Sequence, residues 1–353
     1  MLTRMFSRSR RLVLATALFA AAASAPVQAQ DKIAIRIACS PAIEHLAVFR
    51  GMEAGLFAKH GLDPKLTLFQ TGVEMINGLT GGGLDVINMA SIPLMAGVSR
   101  GMPLVLIGHL YGDAFATSYA PFSIVAGPKL QAHKGDIKLL AGKKIGLPRG
   151  SSAEGYGRNM LKQYGVADAD VTLVNMPPTN MIAALTNGDV DAVAVWDPWA
   201  TMAVNQVKGA VRISLGGCEA CYDPGTIITT RSTVQSNPEM LRRYMLAFSE
   251  AQQWVRQNRD GEAIKLATRW IQGVDEATIA TAIKGSSFDQ RLSRNSVDGY
   301  RDKMLPFLQT IGAVKKPVDV NEVIDARFIG QVITQSPQFF SDLKPLPADL
   351  QLK

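Results

Sequence analysis

Short runs of β-branched and aliphatic residues alternate with amphipathic stretches between residues 33 and 230. Apolar runs bounded by turn residues are typical of strands, and an apolar spacing of three to four is typical of helices. Helices are expected between most of the strands, and this alternation predicts mostly parallel sheets covered by helices. The strands are predicted at residues 33–38, 66–69, 85–89, 104–108, 122–126, 144–147, 171–174, 192–195 and 226–230.

The chain changes character at Asn237-Pro238-Glu239, which places a capping Asn before a first-turn Pro and predicts a helix start. Apolar residues from Met240 to Trp254 then keep near-helical spacing. The two successive β-α runs predict two lobes, and we expect the helical segment to pack back onto the first. Further helices are predicted at 260–272, 275–284 and 297–311, followed by a proline-rich tail.

The first 29 residues have the pattern of an export signal. Four arginines precede an apolar run from Leu12 to Ala25, and Val27-Gln28-Ala29 offers small residues to a signal peptidase. The run is shorter than the roughly 20 residues that a membrane span needs, so we expect cleavage after Ala29 rather than anchoring. Ser9 to Leu14 also resembles a twin-arginine signal, which leaves the export route open.

This segment contains four arginines and no acidic residue, so its removal lowers the formal net charge from +7 to +3. A mildly basic chain without a dense Lys/Arg run lacks the electrostatic footprint of a nucleic-acid-binding protein. No second apolar stretch approaches about 18 residues, so we expect a soluble mature protein of two ordinary domains.

The chain has three cysteines, Cys39, Cys218 and Cys221. Cys39 is predicted to be a small buried apolar residue. The Cys218-Glu219-Ala220-Cys221 motif in an oxidising compartment favours a local disulfide. Half of a zinc site has less support, because no second Cys or His pair follows at metal-ligand spacing. A thioredoxin-like redox pair has the least support, because no helix pattern begins at the first cysteine.

Polar and small residues stand where predicted strands give way to helices. In an open α/β sheet these turns lie at the carboxyl ends of strands, where ligands bind. Helix N-termini favour anions, although each such residue is also an ordinary cap. Gly150-Ser151-Ser152 is the strongest candidate because two hydroxyls follow a strand directly. The turns are Ser40-Pro41, Ser91-Ile92-Pro93, Gly150 to Glu154, Pro178-Thr179-Asn180 and Asp197-Pro198-Trp199.

Motifs of common enzyme classes are missing: no nucleophile elbow, phosphate-binding glycine loop or zinc-protease helix occurs. The four histidines are scattered, so we predict no catalytic residue, no metal and no cofactor. His45 beside Glu44 is a candidate for the wall of a cleft. Trp196, Asp197 and Trp199 are either core aromatics with a capping acid or an aromatic wall over a ligand.

At these residues the chain resembles the aliphatic-sulfonate, taurine and nitrate family of ABC-importer binding proteins. The order and spacing of the similar stretches cover about residues 33–300. They are Glu53 to Phe57 with His60 to Asp63, the Gly81 to Asp85 turn, Ile92-Pro93, Leu140 to Gly146, Gly150 to Ser152, Ala183 to Ala192 and Trp196 to Pro198.

The resemblance implies an α/β fold of the type II periplasmic-binding-protein class, with two α/β lobes joined by two crossover strands and a ligand cleft between them. Residues 1–29 would be the signal peptide, 30–121 plus 225–353 the first lobe, and 122–224 the second. Ser151 and Ser152 would bind an anionic head group together with backbone N–H groups. The implied ligand-binding residues are Ser40, Met89, Ser91, Gly150, Ser151, Ser152, Trp196, Asp197 and Thr226.

The implied function is that of a periplasmic solute receptor, a monomer that binds an aliphatic sulfonate or a taurine-like anion and delivers it to a membrane permease and its ATPase. Nitrate, bicarbonate, aromatic carboxylates and pyrimidine precursors of thiamin are alternative ligands. Met89-Ala90-Ser91 and the Gly216 to Gly225 loop depart from the sulfonate-binding pattern. Two alternatives come from other functional classes. One is a pyrimidine-synthase-like enzyme of the same fold, which would need a cysteine-rich cluster. The other is a sensor or scaffold protein.

Overall fold

The computed structural model describes residues 32–352, and the predicted signal peptide and its cleavage site lie outside that range. From residue 33 the described chain forms one compact unit. It contains two five-stranded sheets. The strands are β1 (Ile33–Cys39), β2 (Leu62–Leu68), β3 (Val86–Ala90), β4 (Leu104–Tyr111), β5 (Phe122–Ala126), β6 (Lys144–Leu147), β7 (Thr172–Asn175), β8 (Ala192–Trp196), β9 (Val211–Leu215) and β10 (Gly225–Thr230).

Each sheet has one antiparallel strand among parallel ones. The first sheet has the order β2-β1-β3-β10-β4, and the second has the order β7-β6-β8-β5-β9. β10 runs antiparallel to β3 and β4, and β5 runs antiparallel to β8 and β9. β5 and β10 are the first strands after the chain crosses from one sheet to the other. Each therefore runs in the opposite direction to the strands beside it.

The two connections between the sheets are hydrogen-bonded to each other. The Tyr119 N–H donates to the carbonyl of Cys221 (3.1 Å), and the Asp223 N–H donates to the carbonyl of Tyr119 (2.6 Å). The chain therefore passes from β4 to β5 and from β9 back to β10 through paired segments. The lobe boundaries at residues 121 and 225 stay a prediction.

Helices cover both sheets, and none in residues 32–352 is long and apolar enough to span a bilayer. The longest, α9, buries Met240, Tyr244 and Phe248 on one face, and Tyr244 stacks on Phe57. The helices are α1 (Leu46–Glu53), α2 (Leu56–Lys59), α3 (Gly72–Thr80), α4 (Ser91–Ser99), α5 (Ser152–Gln163), α6 (Met181–Asn187), α7 (Trp199–Gln206), α8 (Arg231–Ser236), α9 (Pro238–Gln257), α10 (Glu262–Trp270), α11 (Glu276–Ala282), α12 (Arg294–Gly299), α13 (Leu305–Thr310), α14 (Val320–Val323) and α15 (Arg327–Gln335).

Several elements differ from the sequence-based prediction, and three of them have a clear physical reason. β2 begins at Leu62 and contains Pro64, which is tolerated because β2 is an edge strand. β9 was not predicted, because two of its five residues, Arg212 and Ser214, are polar. The predicted proline-rich tail contains α15, which buries Phe328, Ile329 and Val332.

Candidate ligand-binding site

A cavity of about 50 Å³ lies where the ends of both sheets meet. The turn after β1, the start of α3 and the ends of β3 and β4 form one wall. The starts of β5 and α5 and the end of β8 form the other. The lining residues are Ser40, Ala42, Glu44, His45, Gln70, Thr71, Gly72, Met75, Met89, Ala90, Pro93 and Tyr111 from the first wall, and Phe122, Ser151, Ser152 and Trp196 from the second.

The N-terminus of α5 faces this cavity. The Ser151 hydroxyl, at the N-cap position, donates to the carbonyl of Pro148 (2.6 Å). The Ser152 hydroxyl is 3% exposed and has no hydrogen-bond partner among the described residues. Glu154 accepts the N–H of Gly150 (2.7 Å) and an Arg149 hydrogen bond (3.0 Å). Ser152 is therefore the α5 hydroxyl without a hydrogen bond of normal geometry, and the one better placed to donate to a ligand.

His45 is a neutral acceptor in the opposite wall. Its Nε2 lies 3.0 Å from the carbonyl oxygen of Asn88, which can only accept, so Nε2 carries the proton. Nδ1 then accepts the more distant Ser40 hydroxyl at 3.4 Å. Burial lowers the pKa of His45 to about 4, although the Asn88 hydrogen bond opposes the shift. The ring therefore brings no positive charge to the cavity at neutral pH.

Glu44 lines the same wall and is buried without a hydrogen-bond or ion-pair partner from another described residue. Its side chain is 3% exposed, and no hydrogen bond or ion pair to another residue within 32–352 includes its carboxyl group. Burial raises the pKa of Glu44 to about 8; hydrogen bonding to its own backbone N–H opposes the shift, and the negative charge of Asp197 adds to it. The buried Glu44 carboxyl group is therefore mainly neutral at pH 7.

Asp223 occupies the N-terminus of α4. Its Oδ1 accepts the N–H groups of Ser91 (2.7 Å) and Ile92 (3.2 Å). Burial raises the pKa of Asp223 to about 7, and hydrogen bonding to Ser152 and to these N–H groups opposes the shift. The contact between Ser152 and Asp223 falls short of normal hydrogen-bond geometry. Neither the Ser152 hydroxyl nor the Asp223 Oδ2 has a hydrogen bond of normal geometry in the described chain. The N–H groups of Ser91 and Ile92 at the N-terminus of α4 are therefore already paired within the protein and are not available to a ligand.

The structure brings five of the nine predicted ligand-binding residues to the cavity: Ser40, Met89, Ser151, Ser152 and Trp196. The other four lie elsewhere. Gly150 lines a neighbouring surface pocket, and the Ser91 hydroxyl donates to the carbonyl of Pro224. Asp197 pairs with Arg212 (3.0 Å) and accepts the Thr201 N–H (2.9 Å), while the Thr226 hydroxyl donates to the carbonyl of Met89 (2.9 Å).

Sequence reasoning missed several lining residues. Thr71 was detectable, because Thr71 and Glu74 form a capping box at the start of α3, a signature visible as T-x-x-E. Gln70 and Gly72 flank it in the same turn. Tyr111 and Phe122 end β4 and begin β5, and their apolar runs gave no sign of a ligand site.

Cys218 and Cys221 are joined by a disulfide in the segment that leads from β9 to Asp223. Both are buried against the core of the second sheet, and Cys39 is a buried free cysteine. Residues 32–352 contain no group of three or more His, Cys, Asp or Glu side chains that could hold a metal ion.

Comparison with known proteins places the chain in a family. The sequence profile of the NMT1-like family matches residues 28–272. A Bacillus subtilis (strain 168) protein named for aliphatic sulfonate binding is 26% identical over 305 residues, covering 86% of this chain and 88% of that protein.

Two solved structures share the overall fold. The alkanesulfonate-binding protein of Xanthomonas axonopodis pv. citri, bound to MOPS, superposes with a TM-score of 0.72 at 19% identity, over 84% of this chain and 99% of that one. The periplasmic aliphatic sulphonate binding protein of Escherichia coli gives 0.69 at 21% identity, over 83% and 98%. These matches confirm the predicted type II periplasmic-binding-protein fold, and the chain therefore belongs to the NMT1-like family of ABC-importer substrate-binding proteins.

Proposed function

We propose that this protein is the periplasmic receptor of an ABC importer and that it binds a small organic anion, an aliphatic sulfonate or a taurine-like compound. The names of its relatives support a solute-binding role. The position of the cavity supports it too, since ligands of open α/β sheets bind at the carboxyl ends of the strands.

The observation that carries the proposal is the free donor group at the start of α5. Ser152 is buried and lines the cavity, and apart from a contact with the Asp223 carboxyl group its hydroxyl makes no hydrogen bond of normal geometry in the described chain. The hydrogen bonds recorded for residues 32–352 also include none from the N–H groups of Ser152 and Ala153. A buried donor without a partner costs free energy, and an anion at a helix N-terminus removes that cost.

Ser151 would position this site. Its hydroxyl is committed to the carbonyl of Pro148 and so holds the turn before α5 in shape. Ser40, Met89 and Trp196 would close the remaining walls of the cavity. Gly150, Ser91, Asp197 and Thr226 would act indirectly, through the backbone that carries the lining residues.

Export completes the proposed role. Residues 1–29 would be removed, and the mature receptor would begin at Gln30, bind its ligand as a monomer and deliver it to a permease and its ATPase. Mass spectrometry of protein recovered from the periplasm should find Gln30 as the first residue. Intact residues 1–29 in that fraction would contradict the export proposal.

A thermal-shift series with the mature protein tests the ligand class. A ligand at about 100 times its Kd stabilises the native state by about 2.7 kcal/mol, which gives a measurable rise in Tm. We expect stabilisation by short alkanesulfonates and none by the alcohols of the same chain length. Equal shifts with the uncharged partners would refute an anion site.

Nitrate or bicarbonate is the second candidate ligand, and the size of the cavity favours it. About 50 Å³ suits a small inorganic anion, whereas an alkanesulfonate would need the two walls of the cavity to move apart on binding. The same series should therefore include both inorganic anions. Stabilisation by nitrate alone, without any effect of sulfonates, would favour this reading.

A further inference from the structure

The connection from β9 back to β10 brings one carboxyl group to the N-termini of two helices, α4 and α5. Resting on the proposed function, we propose that Asp223 is a positioning residue of the ligand site, and that its protonation state decides where the Ser152 hydroxyl points. The neutral acid would donate to the Ser152 oxygen and leave the hydroxyl proton for the anionic ligand. The ionised acid would accept that proton and withdraw it from the ligand.

The two carboxyl oxygens of Asp223 have different surroundings. Oδ1 accepts the N–H groups of Ser91 (2.7 Å) and Ile92 (3.2 Å) at the start of α4. Oδ2 is buried without a hydrogen bond of normal geometry in the described chain, and the same holds for the Ser152 hydroxyl that contacts this carboxyl group. A proton on Asp223 therefore belongs on Oδ2, where the Ser152 oxygen can accept it.

The Ser152 hydroxyl cannot serve both partners as a donor. A serine hydroxyl has one proton to donate and two lone pairs that can accept. When Oδ2 of Asp223 is protonated, the Ser152 oxygen accepts from it, and the hydroxyl proton is left for an anion at the N-terminus of α5. When Oδ2 is ionised, it needs that same proton, because a buried charge without a hydrogen bond is costly. The ligand then loses a donor and meets a like charge.

The backbone on both sides holds the carboxyl group and the hydroxyl at close range. Helices α4 and α5 pack so closely that a Cβ atom on Gly155 would clash with the Ile92 side chain. The Asp223 N–H donates to the carbonyl of Tyr119 (2.6 Å), and the carbonyl of the next residue, Pro224, accepts the Ser91 hydroxyl. The contact between Asp223 and the start of α5 is thus built into the packing of the two lobes.

Burial keeps the proton of Asp223 in balance near neutral pH. It raises the pKa of this carboxyl group to about 7, and the hydrogen bonding to Ser152, Ser91 and Ile92 opposes the shift. None of the described residues that line the cavity, or the void of about 10 Å³ beside Asp223, is Lys or Arg. Both protonation states are therefore populated around pH 7, and an anion at the N-terminus of α5 favours the neutral one.

Most other titratable groups near Asp223 do not change charge in this range. Burial lowers the pKa of His45 and of His109 to about 4, so both rings are neutral. Glu44 is the exception, because its pKa of about 8 means that it also ionises just above neutral pH. Burial raises the pKa of five nearby phenols, which therefore stay protonated: Tyr111, Tyr119, Tyr156, Tyr222 and Tyr300.

Calorimetry on the mature Glu44→Gln variant tests the inference, since this background removes the second carboxyl group that titrates. The probe is ethanesulfonate, or nitrate if the thermal-shift series selects it, and both anions stay ionised throughout. Between pH 6.5 and 8.5 the Kd should rise about 10-fold, because the ligand-bound protein holds the Asp223 proton more tightly than the ligand-free protein. Adding Asp223→Asn, which keeps Oδ1 and replaces the O–H donor with N–H, should keep the low-pH Kd at both pH values.

Removal of the hydroxyl distinguishes positioning from simple charge repulsion. In the same background, Ser152→Ala should raise the Kd about 10-fold at pH 6.5 and about 2-fold or less at pH 8.5, where Asp223 competes for the hydroxyl proton. With Asp223→Asn also present, the cost should be about 10-fold at both pH values. Asp302→Asn is the matched control, because Asp302 pairs with Arg301 on the surface and should leave the pH dependence unchanged.

Three results would overturn the inference and leave the anion receptor standing. They are a Kd that does not change with pH, a pH dependence that persists in Asp223→Asn, and an equal cost of Ser152→Ala at both pH values. The last comparison needs no change at Asp223, so it decides the question even if Asp223→Asn does not fold. Binding of neither ethanesulfonate nor nitrate would overturn the proposed function as well.

Discussion

Replacing Ser152 with alanine separates binding from folding, because the hydroxyl is buried without a normal hydrogen bond in the ligand-free protein. A hydrogen bond from this hydroxyl to a charged ligand contributes about 1.5–3 kcal/mol, and each 1.4 kcal/mol corresponds to tenfold in affinity. We therefore expect Ser152→Ala to raise the Kd of the best anionic ligand about 10- to 100-fold. The free energy of unfolding should change little, since within the protein the hydroxyl makes only its contact with the Asp223 carboxyl group.

Ser151→Ala is the matched control one residue away. Its hydroxyl already donates to the carbonyl of Pro148, so alanine removes an intramolecular hydrogen bond and lowers the free energy of unfolding by about 1 kcal/mol. Its direct effect on affinity should be small, because the committed hydroxyl has no second proton to donate. The two adjacent substitutions should thus show opposite patterns.

Calorimetric titration of both folded variants, together with urea unfolding, measures the two effects. Ser152→Ala should lose affinity and keep stability, whereas Ser151→Ala should lose stability and keep most of its affinity. The reasoning is refuted if Ser152→Ala binds the best anionic ligand as tightly as the wild type. The same holds if Ser151→Ala shows the larger loss of affinity.

Two further predictions concern pH and redox state. The pKa of Glu44 is raised from 4.5 to about 8 and that of Asp223 from 3.8 to about 7, so the folded state holds these protons more tightly than the unfolded state and loses stability as the pH rises. Urea unfolding between about pH 7.5 and 8.5, where the histidines of the unfolded chain are mostly neutral, should show a loss on the order of 1 kcal/mol per pH unit that Glu44→Gln reduces. An unchanged slope in the variant would refute the assignment. Cys218 and Cys221 should be linked in protein from the periplasm, so thiol titration under denaturing, non-reducing conditions should count one free cysteine, and a count of three would contradict the disulfide.

Local patterns in the sequence predicted most of the strands and the start of α5. The apolar run at residues 192–195 became a strand buried on both faces, as such runs require, and the run at 33–38 became β1, which is buried in its second half. Gly150-Ser151-Ser152 marked a helix start because capping depends only on neighbouring residues. The fold class, which the resemblance implied, is confirmed by the structures of the sulfonate-binding relatives.

Only the tertiary structure decided which polar groups are available to a ligand. Asp223 fills the N-terminus of α4 from 132 positions away in the sequence, and so removes from the site an N–H pair that the Ser91-Ile92-Pro93 motif had suggested. The Ser151 and Ser152 hydroxyls look alike in the sequence, but only the Ser151 hydroxyl makes a hydrogen bond of normal geometry, to the carbonyl of Pro148. Glu44 differs from a surface glutamate only through its surroundings. Capping and periodicity are local properties, whereas burial and hydrogen-bond pairing depend on residues that approach each other only in the folded chain.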